Sequence, residues 1–314
     1  MTKVAIVGGG SIGVAFCIVF ARSGLDVRLY DPAEERRHAV KPEVRARLDD
    51  LAEFGLLDEP AEVVLARITV FEHLPDAVRD VVLVQECAPE RVDLKRELFE
   101  QIDVHAPTAA VLASSSSALT TSSFAAALPG RARCLVAHPG NPPYLIPVIE
   151  IVPAPFTDDT TIGRATALYE AAGMSTVRVT GEIEGFIFNR LQGAVLREAY
   201  CLVRDDVASV ADIDRVIRDG VGLRWSVTGP FETVDLNTRG GIASHAQKMG
   251  PAYERMGASR GQCDPWTPDL VARVAGERRA ALSLDDWDAR VKWRDRRLMA
   301  LIRDRRRAEG EAFA

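Results

Sequence analysis

Residues 4–13 read Val4-Ala5-Ile6-Val7-Gly8-Gly9-Gly10-Ser11-Ile12-Gly13, a short apolar strand that runs directly into a glycine-rich turn. An apolar helix follows, and a second strand at residues 27–30 ends on Asp31. This is the pattern G-x-G-x-x-G between a strand and a helix, with an acidic residue about 20 positions further on. The motif in this context predicts a parallel βαβ unit that binds a dinucleotide.

Each glycine of the motif has a separate task. Gly8 allows the tight turn out of the strand, Gly10 lets the backbone approach a pyrophosphate, and Gly13 allows the helix to pack closely on the sheet. The helix N-terminus offers free N–H groups to the phosphates. Asp31 would accept hydrogen bonds from the adenine ribose and repel a 2′-phosphate, so the motif predicts NAD rather than NADP. Two arginines at 36 and 37 would soften this preference if they reached the ribose.

Length, charge and cysteine use limit the class of protein. The 314 residues suffice for two domains, and the net charge of −6 leaves no basic excess for a nucleic-acid partner. The five cysteines are widely spaced and form no Cys/His group with metal-ligand spacing, so we expect buried free thiols and no metal site. Without a signal peptide or a long apolar run, we expect a cytoplasmic protein with no membrane partner.

Strands alternate with helices in the first part of the chain. Further strands are predicted at 68–70, 81–85, 109–112, 134–137, 148–152 and 176–180. This alternation predicts an α/β fold with a Rossmann-type, doubly wound and mainly parallel sheet. After residue 185 amphipathic helices dominate, predicted at 186–204, 210–219, 268–281 and 284–307, with a loop at 220–230. We therefore expect an NAD-binding domain at 1–184 and a smaller all-α domain for substrate binding and dimerisation at 185–314.

Oxidation of an alcohol needs a base that titrates near neutrality, because the hydroxyl proton leaves as the hydride transfers. Of the five histidines, His138 is placed best, since it follows the strand at 134–137 and opens an irregular loop. Ligands of open α/β sheets bind at the carboxyl ends of strands. The alternative is a histidine that only caps a strand. His245 stays open as a candidate, and the other three are predicted to be surface residues.

Three other polar positions are candidates for the site. Glu150 lies in an otherwise apolar strand, which favours a carboxylate paired with His138, although the solvated face of an edge strand would explain it equally. The serines at 114–117 follow a strand end, where hydroxyls can hold an oxygen, but a helix N-cap would need only one of them. Asn189, among apolar residues early in a helix, points into an interdomain cleft or is exposed.

Several short sequence motifs, in the same order along the chain, resemble those of a known superfamily. His138-Pro139-Gly140-Asn141-Pro142, Glu150 and the string at 185–191 resemble the L-3-hydroxyacyl-CoA dehydrogenase superfamily over nearly the whole chain. The strings at 85–90, 114–117, 137–147 and 222–233 look closest to its lambda-crystallin / L-gulonate 3-dehydrogenase branch. The resemblance implies an NAD-dependent oxidoreductase, with His138 as catalytic base and Glu150 as its orienting carboxylate. It also implies that Ser117 and Asn189 hold the reacting oxygen, that Asn141 lies near nicotinamide and substrate, and that the protein is a homodimer.

The same matching implies a set of cofactor contacts. They are Gly8, Gly10, Ser11, Ile12, Gly13, Asp31, Glu90 and Lys95. Without the resemblance, Glu90 and Lys95 would be interpreted as an ordinary solvated pair of charges at the start of a helix.

Departures from the acyl-CoA pattern bear on the substrate. The stretch Pro32–Leu65, where acyl-CoA members carry a lysine-rich hairpin, is acidic here, although Lys41, Arg45 and Arg47 remain as possible phosphate contacts. Arg224 stands where a small residue is usual, so we expect it to bind a substrate carboxylate, the alternative being a salt bridge to a helix acid.

Oxidation of L-gulonate to 3-dehydro-L-gulonate is therefore the leading reaction. A glycine at position 140, where the family often has a bulkier residue, would widen or reshape the pocket, which weakens the exact choice of L-gulonate. The alternatives are an L-3-hydroxyacyl-CoA dehydrogenase, a crystallin-like structural NAD-binding protein, or an L-carnitine dehydrogenase that holds the ammonium in a cage of Trp225, Tyr144 and Phe231.

Overall fold

The fold is taken from a computed structural model of the chain. It describes residues 2–226, 229–237 and 241–261 continuously. It also describes positions 269, 280, 283, 285–286, 289, 292–293, 296, 299–301, 303–304 and 306–307.

One sheet organises the first part of the chain. Its strands are β1 (Lys3–Val7), β2 (Asp26–Tyr30), β3 (Ile68–Phe71), β4 (Leu83–Glu86), β5 (Val111–Ser114), β6 (Cys134–Pro139), β7 (Val148–Pro153) and β8 (Ser175–Arg178). Their order is β3-β2-β1-β4-β5-β6-β7-β8. β1 to β6 pair in parallel, whereas β7 is antiparallel to β6 and parallel to β8. Every strand predicted from the sequence is present, and the doubly wound, mainly parallel fold is confirmed.

Helices follow the strands of this sheet. They are α1 (Ser11–Arg22), α2 (Glu34–Glu53), α3 (Ala61–Ala66), α4 (Leu74–Val78), α5 (Val92–His105), α6 (Thr121–Ala125) and α7 (Asp159–Ala171). α1 is buried on most of its circumference, which explains why its sequence is apolar without a polar face. α7 begins after Asp158, whose carboxylate accepts the N–H of Thr161 at 2.5 Å.

The sheet is covered on both faces. Alternate residues of β1 show this directly, because Val4 and Ile6 belong to one apolar cluster and Ala5 and Val7 belong to another. The order of the strands reverses between β1 and β4, and in such sheets the crevice at the carboxyl ends of the two strands is the place where ligands bind. The glycine-rich turn lies at the end of β1.

A second group of elements is helical. It contains α8 (Phe188–Arg204), α9 (Val210–Val216), a π-helical turn (Ile217–Val221), α10 (Gly222–Trp225), α11 (Pro230–Asn237) and α12 (Gly241–Arg260). The prediction of a loop at 220–230 is wrong for residues 220–225, which are helical. A Cβ at Gly222 would lie 2.7 Å from the Ile217 carbonyl oxygen, so the glycine accommodates the wider turn. The helices predicted at 268–281 and 284–307 lie largely outside the described residues.

The chain divides by its contacts into two compact units. The first contains residues 1–190 and 291–314, and the second contains residues 191–290. Met299, from the last segment, is 1% exposed in the core of the first unit. The boundary at 184/185 between nucleotide-binding and substrate-binding parts stays a prediction. Among the described residues, no helix is both long and apolar enough to cross a bilayer.

Candidate active site

The glycine-rich turn has the geometry that its sequence predicts. Gly8 has φ +111°, and a Cβ there would lie 2.8 Å from the Cys87 carbonyl group. A Cβ on Gly13 would lie 1.9 Å from the Gly8 oxygen, so α1 packs against the turn only because position 13 is glycine. At Gly10, in contrast, a Cβ would meet nothing within 4 Å. The first turn of α1 also has no capping side chain and no acidic residue. The free N–H groups and the positive dipole of this open helix end fit the pyrophosphate of NAD.

Asp31 lies at the end of β2 beside this turn. Its carboxylate accepts the Gly9 N–H at 2.7 Å and the Ala33 N–H at 2.9 Å. Each oxygen thus accepts one backbone donor and retains a lone pair for a ribose hydroxyl.

The two neighbouring arginines are held by the protein itself. Arg36 donates to the Gly9 carbonyl oxygen and pairs with Glu43 at 2.8 Å, and its pKa is raised, chiefly by the hydrogen bond to Glu43. Arg37 donates to the carbonyl oxygens of Asp31 and residue 32. Arg36 is thus engaged by the protein, whereas Arg37 donates only through Nη1, so the softening of the NAD preference stays a prediction for Arg37 alone.

His138 and Glu150 form a buried pair. Nδ1 of the histidine lies 2.7 Å from Oε2 of the glutamate, and the two residues are 5% and 2% exposed. His138 lies inside β6, not after its end as predicted, and is directly opposite Glu150 in the antiparallel register with β7. β7 is flanked by β6 and β8, so Glu150 does not lie on a solvated edge strand. Because a carboxylate only accepts hydrogen bonds, this contact selects the tautomer of the neutral imidazole in which Nδ1 carries the proton and Nε2 carries the lone pair.

The other oxygen of Glu150 is held by the backbone. Oε1 accepts the N–H groups of Ile187 at 2.7 Å and Phe188 at 2.9 Å, where α8 begins. Gly185 and Phe186 precede it with positive φ values of 76° and 50°, which turn the chain towards the carboxylate. The rings at 186 and 188 lie 5.5 and 6.1 Å from the imidazole ring. Both carboxylate oxygens therefore have partners, as a buried charge requires.

The serine-rich turn after β5 is organised by Glu90. Oε1 of Glu90 accepts the N–H groups of Ser117 and Ala118 at 3.0 Å and of Leu119 at 3.2 Å, and the Ser116 hydroxyl at 2.5 Å. Burial raises the pKa of Glu90, but these hydrogen bonds together lower it below its ordinary value. None of the serines caps the next helix, whose N-cap is Thr120.

Asn189 lies next to Ser117. Its amide Nδ2 donates to the Ser117 carbonyl oxygen at 2.9 Å. The two residues that the resemblance assigns to the reacting oxygen are thus brought together. Asn141 is exposed after β6, with a cis peptide bond to Pro142. Arg224 is exposed on α10, in the second unit.

The burial of Lys95 contradicts the interpretation of Glu90 and Lys95 as a solvated pair of charges. Its side chain is 1% exposed and its Nζ lies 2.9 Å from each oxygen of Glu86, which is itself fully buried. Glu86 was missed in the sequence. The signal was available, since Glu86 ends an apolar strand and an isolated charge there needs a partner, as was argued for Glu150.

Gly140 does not enlarge the site. A Cβ at this position would lie 2.6 Å from Ile146 Cγ2 and 3.0 Å from Val148 Cγ1. The space that a larger residue would take is therefore filled by neighbouring side chains.

Family models match the chain in two consecutive segments. Residues 3–183 match the NAD binding domain of 3-hydroxyacyl-CoA dehydrogenase, and residues 185–277 match its C-terminal domain. These matches, with the NAD cradle and the buried histidine, define an NAD-dependent oxidoreductase that acts on CH–OH groups. Within that class, the chain belongs to the 3-hydroxyacyl-CoA dehydrogenase family.

Individual relatives agree with this assignment. Lambda-crystallin of Oryctolagus cuniculus is 37% identical over 310 residues, covering 98% of this chain and 97% of that protein. L-carnitine dehydrogenase of Streptomyces coelicolor is 38% identical over 266 residues, covering 84% of this chain and 80% of that protein. The solved structure of 5-formyl-3-hydroxy-2-methylpyridine 4-carboxylic acid 5-dehydrogenase, an NAD⁺-dependent dismutase, superposes with a TM-score of 0.84 at 25% identity and covers 96% of this chain and 98% of that one. The resemblance to the superfamily and its lambda-crystallin branch is confirmed.

Proposed function

We propose that the protein oxidises the 3-hydroxyl of a small hydroxy-carboxylate, with L-gulonate converted to 3-dehydro-L-gulonate as the leading reaction. The observation that carries the chemistry is the buried His138–Glu150 pair, in which two backbone N–H groups hold the carboxylate. The choice of L-gulonate rests on the strings that resemble the L-gulonate 3-dehydrogenase branch.

His138 acts as the general base in this proposal. Its Nε2 takes the hydroxyl proton, and Glu150 stabilises the imidazolium that forms. Bound NAD would supply the acceptor for the hydride of the carbinol carbon. Ser117 and Asn189 hold the reacting oxygen, with one of the two amide hydrogens of Asn189 already on the Ser117 carbonyl. Asn141 lies near the substrate.

The cofactor contacts are part of the same proposal. The glycine-rich turn and helix end would hold the pyrophosphate, Asp31 would bind the adenine ribose, and Glu90 and Lys95 would be further contacts of the cofactor, as the resemblance implies. The residues at the turn are Gly8, Gly10, Ser11, Ile12 and Gly13.

Arg224 is the proposed carboxylate ligand. It is exposed on α10 and makes no ion pair with any residue that the structure describes, which disfavours the alternative of a salt bridge to a helix acid. A planar guanidinium binds a carboxylate through two parallel hydrogen bonds.

A CoA ester is less favoured. Of the three basic residues named as phosphate contacts, Lys41 is exposed, whereas Arg45 pairs with Asp49 at 2.8 Å and with Glu62. Arg47 donates to the Ser11 carbonyl oxygen at 3.3 Å. An acyl-CoA dehydrogenase is therefore kept as the second candidate because of the family, not because of a phosphate site.

Carnitine is the third candidate, supported by the carnitine dehydrogenase relative. Trp225 and Phe231 are 41% and 77% exposed, but Tyr144 is 5% exposed and has the Arg47 guanidinium 5.9 Å from its ring centroid. A cation already faces this ring, so Tyr144 is a poor member of a cage. A purely structural, crystallin-like role is disfavoured by the complete set of Ser117, His138, Glu150 and Asn189.

A homodimer and a cytoplasmic location complete the proposal. Apolar side chains are exposed in the second unit, with Leu191, Val216 and Leu223 at 59%, 62% and 62%. The described cysteines are free thiols, as expected in a reducing compartment. Sedimentation velocity of wild type and Val216→Asp tests the dimer. A dimer that the variant does not weaken would place the interface elsewhere.

Initial rates of NADH formation test the reaction. L-Gulonate, L-3-hydroxybutyryl-CoA and L-carnitine are compared under identical conditions for wild type, His138→Ala and Arg224→Ala. Arg218→Ala is the matched control, because Arg218 is an exposed arginine of the second unit already paired with Asp219. We expect activity on L-gulonate that is lost in His138→Ala, a raised KM in Arg224→Ala and no change in the control.

Other outcomes would redirect the proposal. If wild type prefers the CoA ester and Arg224→Ala is as active as wild type, Arg224 does not bind a substrate carboxylate. The enzyme would then be an acyl-CoA dehydrogenase. Preference for carnitine would select the third candidate. A wild type that reduces NAD with none of the three would refute the substrate proposal.

A further inference from the structure

We propose that the first unit carries a binding site for a small oxyanion, a carboxylate or a phosphate group, between Arg22 and Arg306. An anion there would bridge the two guanidinium groups and hold the segment that carries Arg306 against the end of α1. The site is separate from the proposed function. α1 begins at the glycine-rich turn, and its 12 residues put about 18 Å between that turn and Arg22.

The two arginines line one open pocket of about 210 Å³. Its other walls come from the loop before α3, from α3 itself and from the end of α7. Leu56 and Val64 supply apolar surface and are 4% and 0% exposed. Pockets for drug-sized ligands occupy roughly 300–1,000 Å³, so this one suits a small ion better than a cofactor or an acyl chain.

The Arg22 guanidinium is half-buried and retains unused donors. Nη1 donates to the Tyr144 carbonyl oxygen at 3.1 Å, which is its one hydrogen bond to a residue that the structure describes. A guanidinium has five N–H donors. The neighbouring helix ends do not need them, because the carbonyl groups of Phe20, Ala21 and residues 168–170 accept backbone N–H groups. Arg22 can therefore bind a carboxylate or phosphate through two parallel hydrogen bonds.

The charges around the pocket do not cancel. Neither Arg306 nor the exposed Asp58 forms an ion pair with a described residue, whereas Glu59 pairs with Arg67, with 2.8 Å between Oε2 and Nη2. Two guanidinium groups thus share one unpaired carboxylate. Burial lowers the pKa of the Arg22 guanidinium, and the like charge of Arg306 lowers it further, while Asp58 opposes both effects. An anion between the arginines would favour their charged forms.

The position of Arg306 gives the anion a structural task. Arg306 belongs to residues 291–314, which join the first unit from the far end of the chain. Met299 is 1% exposed in the core of this unit, and Arg296 pairs with Glu53 of α2. Arg306 lies seven positions beyond Met299 and has no such contact with the described residues. A bridging anion would supply one.

Urea unfolding of the NADH-loaded protein tests the site, because NADH occupies the pyrophosphate position at the start of α1. The probes are inorganic phosphate and succinate at about 20 mM, compared with NaCl of the same ionic strength. An anion with a dissociation constant of about 1 mM raises the folding equilibrium constant about 20-fold under these conditions. We expect such a rise in wild type. The probe that produces the larger rise identifies phosphate or carboxylate as the preferred ligand group.

Arg22→Gln and Arg306→Gln should each reduce the rise to less than about twofold. Arg306 is exposed, so its variant should fold even if Arg22→Gln does not. Arg178→Gln is the matched control, because Arg178 is an exposed arginine of the first unit that pairs with Asp159 at 3.4 Å. It should retain the full rise. Arg224→Ala should retain it as well, because the proposed substrate ligand lies in the second unit.

Three results would overturn the inference. A wild type that gains less than about twofold from both probes has no such site. A full rise in Arg306→Gln would show that the anion binds elsewhere. A rise that is lost in Arg224→Ala and kept in Arg306→Gln would place the anion at the proposed substrate ligand. No substrate is turned over in this test, so its outcome does not depend on whether the proposed reaction is correct.

Discussion

Glu150→Gln is expected to abolish most of the activity while leaving the fold intact. Oε1 of Glu150 accepts two backbone N–H groups, so the amide oxygen of the glutamine must occupy this position. The amide nitrogen then faces His138 Nδ1, and because it only donates, Nδ1 must become the acceptor. The imidazole proton moves to Nε2, which can no longer take the hydroxyl proton.

The magnitude follows from the tautomer. The equivalent change of an orienting carboxylate to an amide in a Ser-His-Asp triad lowers kcat about 10⁴-fold, and we expect a loss of about 10³- to 10⁴-fold here. Glu150→Ala is the wrong variant for this purpose. It would leave Nδ1 and two backbone N–H groups without their acceptor, and each such buried group costs about 1–3 kcal/mol.

The assay is the initial rate of NADH formation with saturating hydroxy acid, together with the thermal unfolding temperature and the dissociation constant of NADH. Glu184→Gln is the control, because Glu184 is an exposed carboxylate in the same segment. We expect only kcat to change in the Glu150 variant. A kcat within about tenfold of wild type, which is only 1.4 kcal/mol of barrier, would refute the tautomer argument.

Three further expectations follow from the structure. Gly10→Ala should weaken NADH binding without lowering the unfolding temperature, because its methyl group meets no protein atom within 4 Å, whereas Gly13→Ala should destabilise the fold by at least about 1–3 kcal/mol in calorimetry. Hydrogen bonds lower the pKa of Glu90 in the folded state, so its contribution to stability is present above its ordinary pKa of about 4.3 and is lost as pH falls. Urea unfolding of Glu90→Gln should therefore show a shallower loss of stability on acidification than wild type, and an identical slope would contradict this. Burial raises the pKa of the Cys134 thiol to about 12, so it should react with a thiol reagent only on unfolding, and rapid labelling in the native protein would refute this.

The sequence predicted the strands of the nucleotide-binding sheet and named His138 and Glu150 as a candidate pair. Periodicity and glycine spacing located the strands, because both depend on local patterns of residues. The direction in which a strand runs in its sheet does not follow from a local pattern of residues. The reversal of β7 places Glu150 opposite His138, and it became visible only when the register was known.

Pairs between distant elements were harder to predict. Lys95 on α5 was interpreted as solvated because its partner, Glu86, lies nine positions away at the end of a strand. Helical spacing gives no reason to join two such positions. The helix through Gly220 and Gly222 was predicted as a loop because glycine and valine have low helix propensity. The packing of the turn overrides this local preference.

The first unit is discontinuous along the chain, since it takes up residues 1–190 and then 291–314. Met299 completes its core, and Arg296 lies with its guanidinium 5.7 Å from the centre of the Phe54 ring. A fragment that stops at residue 190 would therefore lack part of its own interior. The second unit, residues 191–290, is in effect an insertion into the first, so exchanging it between relatives requires two junctions rather than one.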